Sequence, residues 1–286
     1  MRMIGRIMKF GINTYLWGAT FGPADFHRLP AIKAGGFDGI EVAVLDPAAF
    51  PAAAIRQELT RVGLACTAVA IIPQGLSLGA SDADRRTRAR AHIRACIEQT
   101  AAAGATLLSG PMYTPVGELP GRRRTDDEWR WMVESWQSLA ETAAASGVEI
   151  AIEPLNRFET YFLNTAADGA AFCEAVGHPS VGLLLDTFHA NIEEKRIGDA
   201  LRIAAPHLKH LHTCENDRGV PGSGHVAWDE FFTGVAAIGY NGWLTIESFG
   251  FALGELSAAA AIWRDLAPTP EAIAFDGLAF LKRHTR

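Results

Sequence analysis

The sequence predicts a single (β/α)8 barrel, on three observations. Short apolar runs alternate with longer amphipathic ones eight times from end to end, the pattern of strand and helix in a parallel α/β sheet. Glycines at Gly35-Gly36, Gly63, Gly104, Gly147 and Gly239 stand between a helical stretch and the next strand, where a left-handed C-terminal cap belongs. The 286 residues show no break in composition, and one such barrel takes about 250 residues. Eight strands close a barrel. One domain over 1–286, with 1–8 as an N-terminal extension, is therefore preferred to two doubly wound halves.

Each strand candidate is a short apolar run. They are 10–13; 37–44, after the Gly35-Gly36 break; 66–72, after Gly63; 106–112, after Gly104; 149–155, after Gly147; 181–187; 208–214; and 243–248, after Gly239. Helical stretches fall between and after them, near 24–35, 51–62, 82–103, 126–146, 166–177, 196–205, 228–238 and 270–283. Two regions are irregular: a Pro/Gly-containing loop at 112–124 and an extra segment at 249–266. Long loops after barrel strands are where such enzymes place their sites.

Composition removes several classes of function. With 49% hydrophobic and 20% charged residues the chain supports a large core and is not disordered. Lys and Arg total 26 against 32 Asp and Glu, a net charge of -6 and a pI near 5.9, which argues against a general nucleic-acid binder. The basic runs Arg85/Arg86/Arg88/Arg90 and 122–124 read as a solvated helix face and a loop. No apolar stretch approaches the 18 or more residues of a membrane span, and Met1 to Lys9 lacks the apolar core of a signal peptide. A cytoplasmic protein is expected. The four cysteines, Cys66, Cys96, Cys173 and Cys214, form no CxxC pair and are expected to be reduced.

The strongest chemical signal is a recurrence at strand ends. Ile150-Ala151-Ile152-Glu153, Leu183-Leu184-Leu185-Asp186, Leu208-Lys209-His210-Leu211-His212 and Leu244-Thr245-Ile246-Glu247 are apolar strands ending on a metal-competent side chain. The steps are 33 residues from 153 to 186, 26 from 186 to 212 and 35 from 212 to 247, each one strand–helix unit. Neighbouring strands lie about 4.8 Å apart, so four inward side chains at one level converge on one ion. Alternation supports the inward direction: residues one and three positions earlier are Ile or Leu in seven of eight cases, Lys209 being the exception. Three clustered carboxylates need a cation, because unpaired buried charges cost several kcal/mol each. Oxygen-rich ligation with one nitrogen suits Mn²⁺, Mg²⁺ or Co²⁺, with Zn²⁺ after them.

Flanking residues place further polar groups in the loops that leave these strands. Glu159 follows Glu153 by six, His189 follows Asp186 by three and Arg218 follows His212 by six, where each reaches a bound substrate. The run from Gly219 to Gly224 reads as a turn rather than a phosphate cradle, since no Lys follows in P-loop fashion. His210 shares the inward parity of His212 one layer deeper and reads as a core residue or a support. Trp129, Trp131 and Trp136 share one helix and read as packing or an oligomer face, while Tyr15 and Trp17 suit an apolar wall.

At these residues the sequence resembles the ketose 3-epimerases, the D-tagatose/D-psicose 3-epimerase family of the xylose-isomerase-like TIM barrels. The matching segments run from Ile152 to Glu159, Leu185 to His189, His212 to Gly224 and Thr245 to Phe249, the third being the most specific. The resemblance implies that Glu153, Asp186, His212 and Glu247 hold one divalent ion per subunit, Mn²⁺ first with Co²⁺ or Mg²⁺ as alternatives. It implies that Glu159, His189 and Arg218 bind a free ketose around C1 to C3, and that the protein is a homodimer or homotetramer. Epimerisation at C3 through a cis-enediolate needs a base on one face and an acid on the other, and Glu153 and Glu247 are expected to share those roles. The sequence departs from the family in the loop Gly110-Pro111-Met112-Tyr113-Thr114-Pro115, which lacks the tryptophan several members place there. The preferred ketose, among D-tagatose, D-fructose/D-psicose and L-ribulose/L-xylulose, stays open. Related alternatives are a hydroxypyruvate isomerase or inosose dehydratase; from another class, a non-catalytic sugar-binding barrel.

Overall fold

Eight short strands pair in parallel and in chain order, and the last closes on the first. They are β1 (Lys9–Asn13), β2 (Gly39–Ala43), β3 (Ala65–Val69), β4 (Leu107–Gly110), β5 (Glu149–Ile152), β6 (Val181–Asp186), β7 (Leu208–His212) and β8 (Trp243–Ile246). The structure is a computed structural model that describes residues 8–249, 256, 258 and 260–285. The expected N-terminal extension lies outside these residues apart from Met8, as does part of the segment 249–266.

Among the described residues the strands are joined or followed by α1 (Leu29–Gly35), α2 (Ala52–Val62), α3 (Ala83–Ala102), α4 (Asp126–Ala145), α5 (Ala166–Val176), α6 (Thr187–Glu193), α7 (Ile197–Ala204), α8 (Trp228–Ala237) and α9 (Pro270–His284). Seven of these helices match the expected stretches closely. The stretch at 24–35 divides into a 3-10 turn, Pro23–Arg28, and α1. Helix α6 was not expected: 187 was read as the end of a strand and the next helix was placed at 196–205. Thr, Phe, His, Asn and Ile are indifferent helix formers, so composition hides this single short element. It forms because Asp186 caps it, Oδ1 accepting from the Phe188 N–H at 2.7 Å, and because its inner face is buried.

The alternation that set the expected parity is visible in the packing. Ile150, Ile152, Leu183, Leu185, Leu211, Leu244 and Ile246 belong to the large core between strands and helices. Leu107, Ala151 and Leu184 form a separate cluster inside the barrel. Lys209, the exception, turns its ammonium to Glu149 Oε1 at 2.5 Å. Each buried Ile or Leu is worth roughly 1.5–3 kcal/mol, and a one-residue slip would turn them inward and the carboxylates out against the helices. A register shift between Leu183 and Leu184 brings Asp186 level with His212, so the acid and the imidazole stand side by side.

The helix following a strand also fixes that strand's loop. Trp136, fully buried on α4, donates its indole N–H to the Met112 carbonyl at 3.2 Å, and Tyr113 donates its hydroxyl to the Glu153 carbonyl at 2.9 Å. Trp129 stacks on Phe162, and Arg86 lies over Trp131. The irregular loop after β4 is thus tied to the end of β5.

Gly110, at the end of β4, has φ +120°, and a Cβ there would stand 2.3 Å from the Ala70 carbonyl oxygen. Gly147 has φ +66° but no neighbour within 4 Å of the same position. Gly110→Ala is expected to destabilise the barrel by about 3 kcal/mol or more, against about 1–2 kcal/mol for Gly147→Ala, where only the left-handed backbone is strained. Thermal denaturation of the two variants checks this; equal losses would mean that the β3–β4 approach is not constraining.

Candidate active site

The four strand-end residues converge at the C-terminal mouth of the barrel. Glu153, Asp186, His212 and Glu247 each present one ligand atom, and these atoms all lie within 4.8 Å of one another. All four residues are buried. His212 Nδ1 lies 3.5 Å from Glu247 Oε2 and 3.9 Å from both Glu153 Oε1 and Asp186 Oδ2. Among the described residues, Glu153 Oε1 and His212 Nδ1 have no hydrogen-bond partner. A buried acceptor left unmade costs about 1–3 kcal/mol or more, so orphaned donor atoms aimed at one point fit a cation held between them. The donor set, three carboxylates and one imidazole, is that of a hard divalent ion.

Arg218 neutralises part of this charge. Its Nη1 lies 2.6 Å from Asp186 Oδ2 and 2.9 Å from Glu247 Oε2, and also 2.9 Å from Cys214 Sγ. The guanidinium is sandwiched between Phe188 and Phe249, 4.1 and 5.3 Å from the ring centroids. To reach this place Arg218 takes φ +66°, a left-handed conformation rarely adopted by a large side chain. The loop around it is anchored from below. Ser248 donates to the Arg218 carbonyl at 2.5 Å. Buried Glu215 accepts from the N–H groups of Asn216, Gly222 and Val226 and from the Trp228 indole, at 2.7–3.0 Å. The glycine run after Arg218 therefore turns about an internal carboxylate, in keeping with the turn expected of it.

The electrostatics separate the two glutamates. Burial, reinforced by Glu247, pushes the Glu153 carboxyl well above the usual carboxylate range. Burial acts on Glu247 too, but His212 and Arg218 outweigh it and hold that carboxyl below its ordinary value. Burial, with Arg218 and His212 nearby, keeps His189 neutral. His189 Nδ1 accepts from the Asn156 backbone N–H at 3.1 Å, while its Nε2 lies 3.2 Å from Arg218 Nη2 and 3.6 Å from Glu153 Oε1.

The remaining expected residues border the same space. Glu159, half-buried, accepts from Asn156 Nδ2 at 2.7 Å, and burial raises its carboxyl. Glu153, Glu159, His189, Arg218 and Glu247 line a cavity of about 130 Å³, walled by Tyr15, Val69, Pro111, Leu155, Phe188 and Phe249. Tyr15 stacks on Phe249 with ring centroids 5.2 Å apart, so it does form an apolar wall. Trp17 does not line this cavity and instead donates its indole N–H to Glu271. An outer cleft of about 860 Å³ continues from Glu159 and Phe188 to exposed Phe158 and Trp263. A polar floor beneath an apolar wall suits a small polyol whose hydroxyls are read at one end.

Glu41 and Asn13 were missed. Both lie on the first two strands and are fully buried. Glu41 Oε2 is 2.7 Å from His212 Nε2 and 2.8 Å from Asn13 Nδ2, and Asn13 Nδ2 also reaches Glu247 Oε1 at 3.3 Å. The signal was present: a charge in mid-strand between Ile40 and Val42, of inward parity, in a run otherwise fit for burial.

Arg218→Met removes the guanidinium that touches two buried carboxylates. In the metal-stripped protein it is expected to cost about 3–5 kcal/mol, the usual loss on breaking a buried pair. Urea denaturation with and without Mn²⁺ checks it. Added ion is expected to restore more stability to the variant than to the parent, and a stripped variant as stable as its parent would refute the account.

Known proteins share this architecture. A family model for the xylose isomerase-like TIM barrel matches residues 29–284. The chain is 39% identical to a probable ketose 3-epimerase of Synechocystis sp., with 96% of each chain covered. It is 33% identical to an L-ribulose 3-epimerase of Mesorhizobium japonicum over 96% of this chain and 93% of the relative. The crystal structure of a D-allulose 3-epimerase from Methylomonas sp. in complex with D-allulose superposes with a TM-score of 0.92 at 29% identity, covering 98% of both chains. Length, fold and identity agree along nearly the whole chain, which belongs to the xylose isomerase-like TIM barrels and, within them, to the ketose 3-epimerase family of carbohydrate epimerases.

Proposed function

We propose that this chain interconverts free ketoses that differ at C3, with one divalent cation, Mn²⁺ first and Co²⁺ or Mg²⁺ as alternatives, held by Glu153, Asp186, His212 and Glu247. The observation that carries the reading is the convergence of those four ligand atoms within 4.8 Å beside a cavity lined by both glutamates. A cation there would supply Lewis-acid stabilisation of the charge that develops on the ketose oxygens as the C3 proton leaves. The residues do the rest. Glu153 and Glu247 extend strands three positions apart round the barrel, so they approach a sugar in the cavity from different sides. One takes the C3 proton and the other delivers one to the opposite face, the roles exchanging for the reverse substrate. His189, Arg218 and Glu159 hold the hydroxyls and carbonyl around C1 to C3. The apolar wall of Tyr15, Phe188 and Phe249 excludes water from the enediolate.

Named relatives act on L-ribulose and D-psicose, and these sugars together with D-tagatose and D-fructose form the substrate panel. The family resemblance carries with it a homodimer or homotetramer, and the sequence reading carries the cytoplasmic location.

The test is exchange in D₂O. Metal-stripped protein is incubated with each ketose with and without Mn²⁺, and the sugars are read by NMR. Deuterium at C3 together with the C3 epimer, only with metal, is the expected result. Label at C1 with formation of aldose would replace the reading by an aldose–ketose isomerase, and no exchange with any sugar would leave a binding protein. Glu153→Gln and Glu247→Gln are each expected to lower turnover by about 10²–10⁴-fold, the usual contribution of a positioned acid or base. Near-normal turnover in either variant, with its metal retained, would refute the two-carboxylate mechanism.

A further inference from the structure

The interior of the barrel beneath the cation site holds a second group of metal-competent side chains, Glu41, His210 and His212, all fully buried. Its geometry argues against a second ion. Glu41 Oε1 lies 2.9 Å from His210 Nε2 and within reach of the Ser109 hydroxyl at 3.0 Å and the Thr67 hydroxyl at 3.3 Å. Its Oε2 lies 2.7 Å from His212 Nε2 and 2.8 Å from Asn13 Nδ2. Five donors surround one carboxylate, which has about four lone-pair sites, so nothing remains to offer a cation. An anion taking two imidazole N–H groups fixes both rings, because a neutral imidazole that donates through Nε2 keeps its lone pair on Nδ1. For His212 that lone pair is the one aimed at Glu153, Asp186 and Glu247.

We propose that Glu41 is the positioning residue of the cation site: it holds His212 as the Nε2–H tautomer with Nδ1 presented to the ion, and through Asn13 it orients Glu247. This inference rests on the cation reading given above and deepens it. Glu41 touches neither the ion's position nor the cavity. It acts on two of the four ligands from the opposite half of the barrel, one directly and one across a single amide. The strand register makes this route available. Asn13 pairs with Glu41 and Glu41 with Thr67, so three strands bring their polar side chains to one level. Ile12 pairs with Ile246, which sets Asn13 beside Glu247. Carboxylates behind a metal-bound histidine recur in metal sites because they lock the ring and raise its basicity, and their loss typically weakens metal affinity ten- to a hundred-fold.

Two measurements test it. In the first, metal-stripped parent, Glu41→Gln and Asp186→Asn are titrated with Mn²⁺, and the free ion is read by electron paramagnetic resonance. The parent is expected to bind one Mn²⁺ per chain, Asp186→Asn to lose it, and Glu41→Gln to bind roughly ten- to a hundred-fold more weakly. If Asp186→Asn loses the ion while Glu41→Gln binds like the parent, the positioning role is overturned. If the parent binds no Mn²⁺, or Asp186→Asn binds as well as the parent, the cation reading falls and takes this inference with it. The second measurement needs no variant and can overturn the proposal even should Glu41→Gln fail to fold. Histidine ¹⁵N spectra of the Mg²⁺-loaded parent are expected to show His212 protonated on Nε2 and unprotonated on Nδ1, with His210 also protonated on Nε2. A His212 ring protonated on Nδ1 instead would overturn the proposal.

Discussion

Three carboxylates brought to one point inside a barrel repel one another, and the arrangement persists only where positive charge is held with them. Much of the local structure follows from that constraint. Arg218 enters the carboxylate cluster itself, sandwiched between two aromatic rings, and the chain adopts a left-handed backbone at a bulky residue to bring it there. The loop that carries Arg218 is organised about a second buried carboxylate, Glu215, whose partners are mostly backbone N–H groups. Strain at Arg218 is thus surrounded by hydrogen bonds that leave the loop few alternatives.

The two halves of the barrel divide the work. Strands β5 to β8 end on the four side chains suited to a cation, while β1 to β4 contribute Asn13, Glu41, Thr67 and Ser109, a hydrogen-bonded floor with Glu41 at its centre. The floor carries one negative charge and the donors that surround it, and it contacts the upper layer through His212 and Glu247. Strands suit this purpose better than loops, because their register fixes side-chain level and direction to within a fraction of an ångström. The loops supply Glu159 and Arg218 and the short helix α6 supplies His189, and all three border the cavity together with its aromatic wall.

What could be read in advance depended on how a residue's role was encoded. Glu153, Asp186, His212 and Glu247 were legible because each breaks an apolar run at the same phase of a repeating unit, and phase survives in sequence. Glu159, His189 and Arg218 were legible as neighbours of those breaks, and all three border the cavity. Glu41 obeys the same parity but stands in mid-strand, where a lone charge gives no hint of its partners, the nearest of which by sequence are 26 and 28 residues away. Helix α6 escaped because its stability comes from a cap and from burial rather than from composition.

The sequence alone sets the number and order of the strands, all of the longer helices between them, and which face of each strand meets the helices. It also placed the four metal-competent residues at one level. Those features are periodic, and periodicity is local information. What these groups touch is set by the folded chain: Arg218 bridges Asp186 and Glu247, His212 turns one nitrogen to Glu41 and the other to three carboxylates, and Asn13 reaches Glu247 across 234 positions of chain. Such contacts arise from closure of the barrel, which sets the first strand beside the last. A side chain's charge is written in the sequence; the partner that balances it is chosen by the fold.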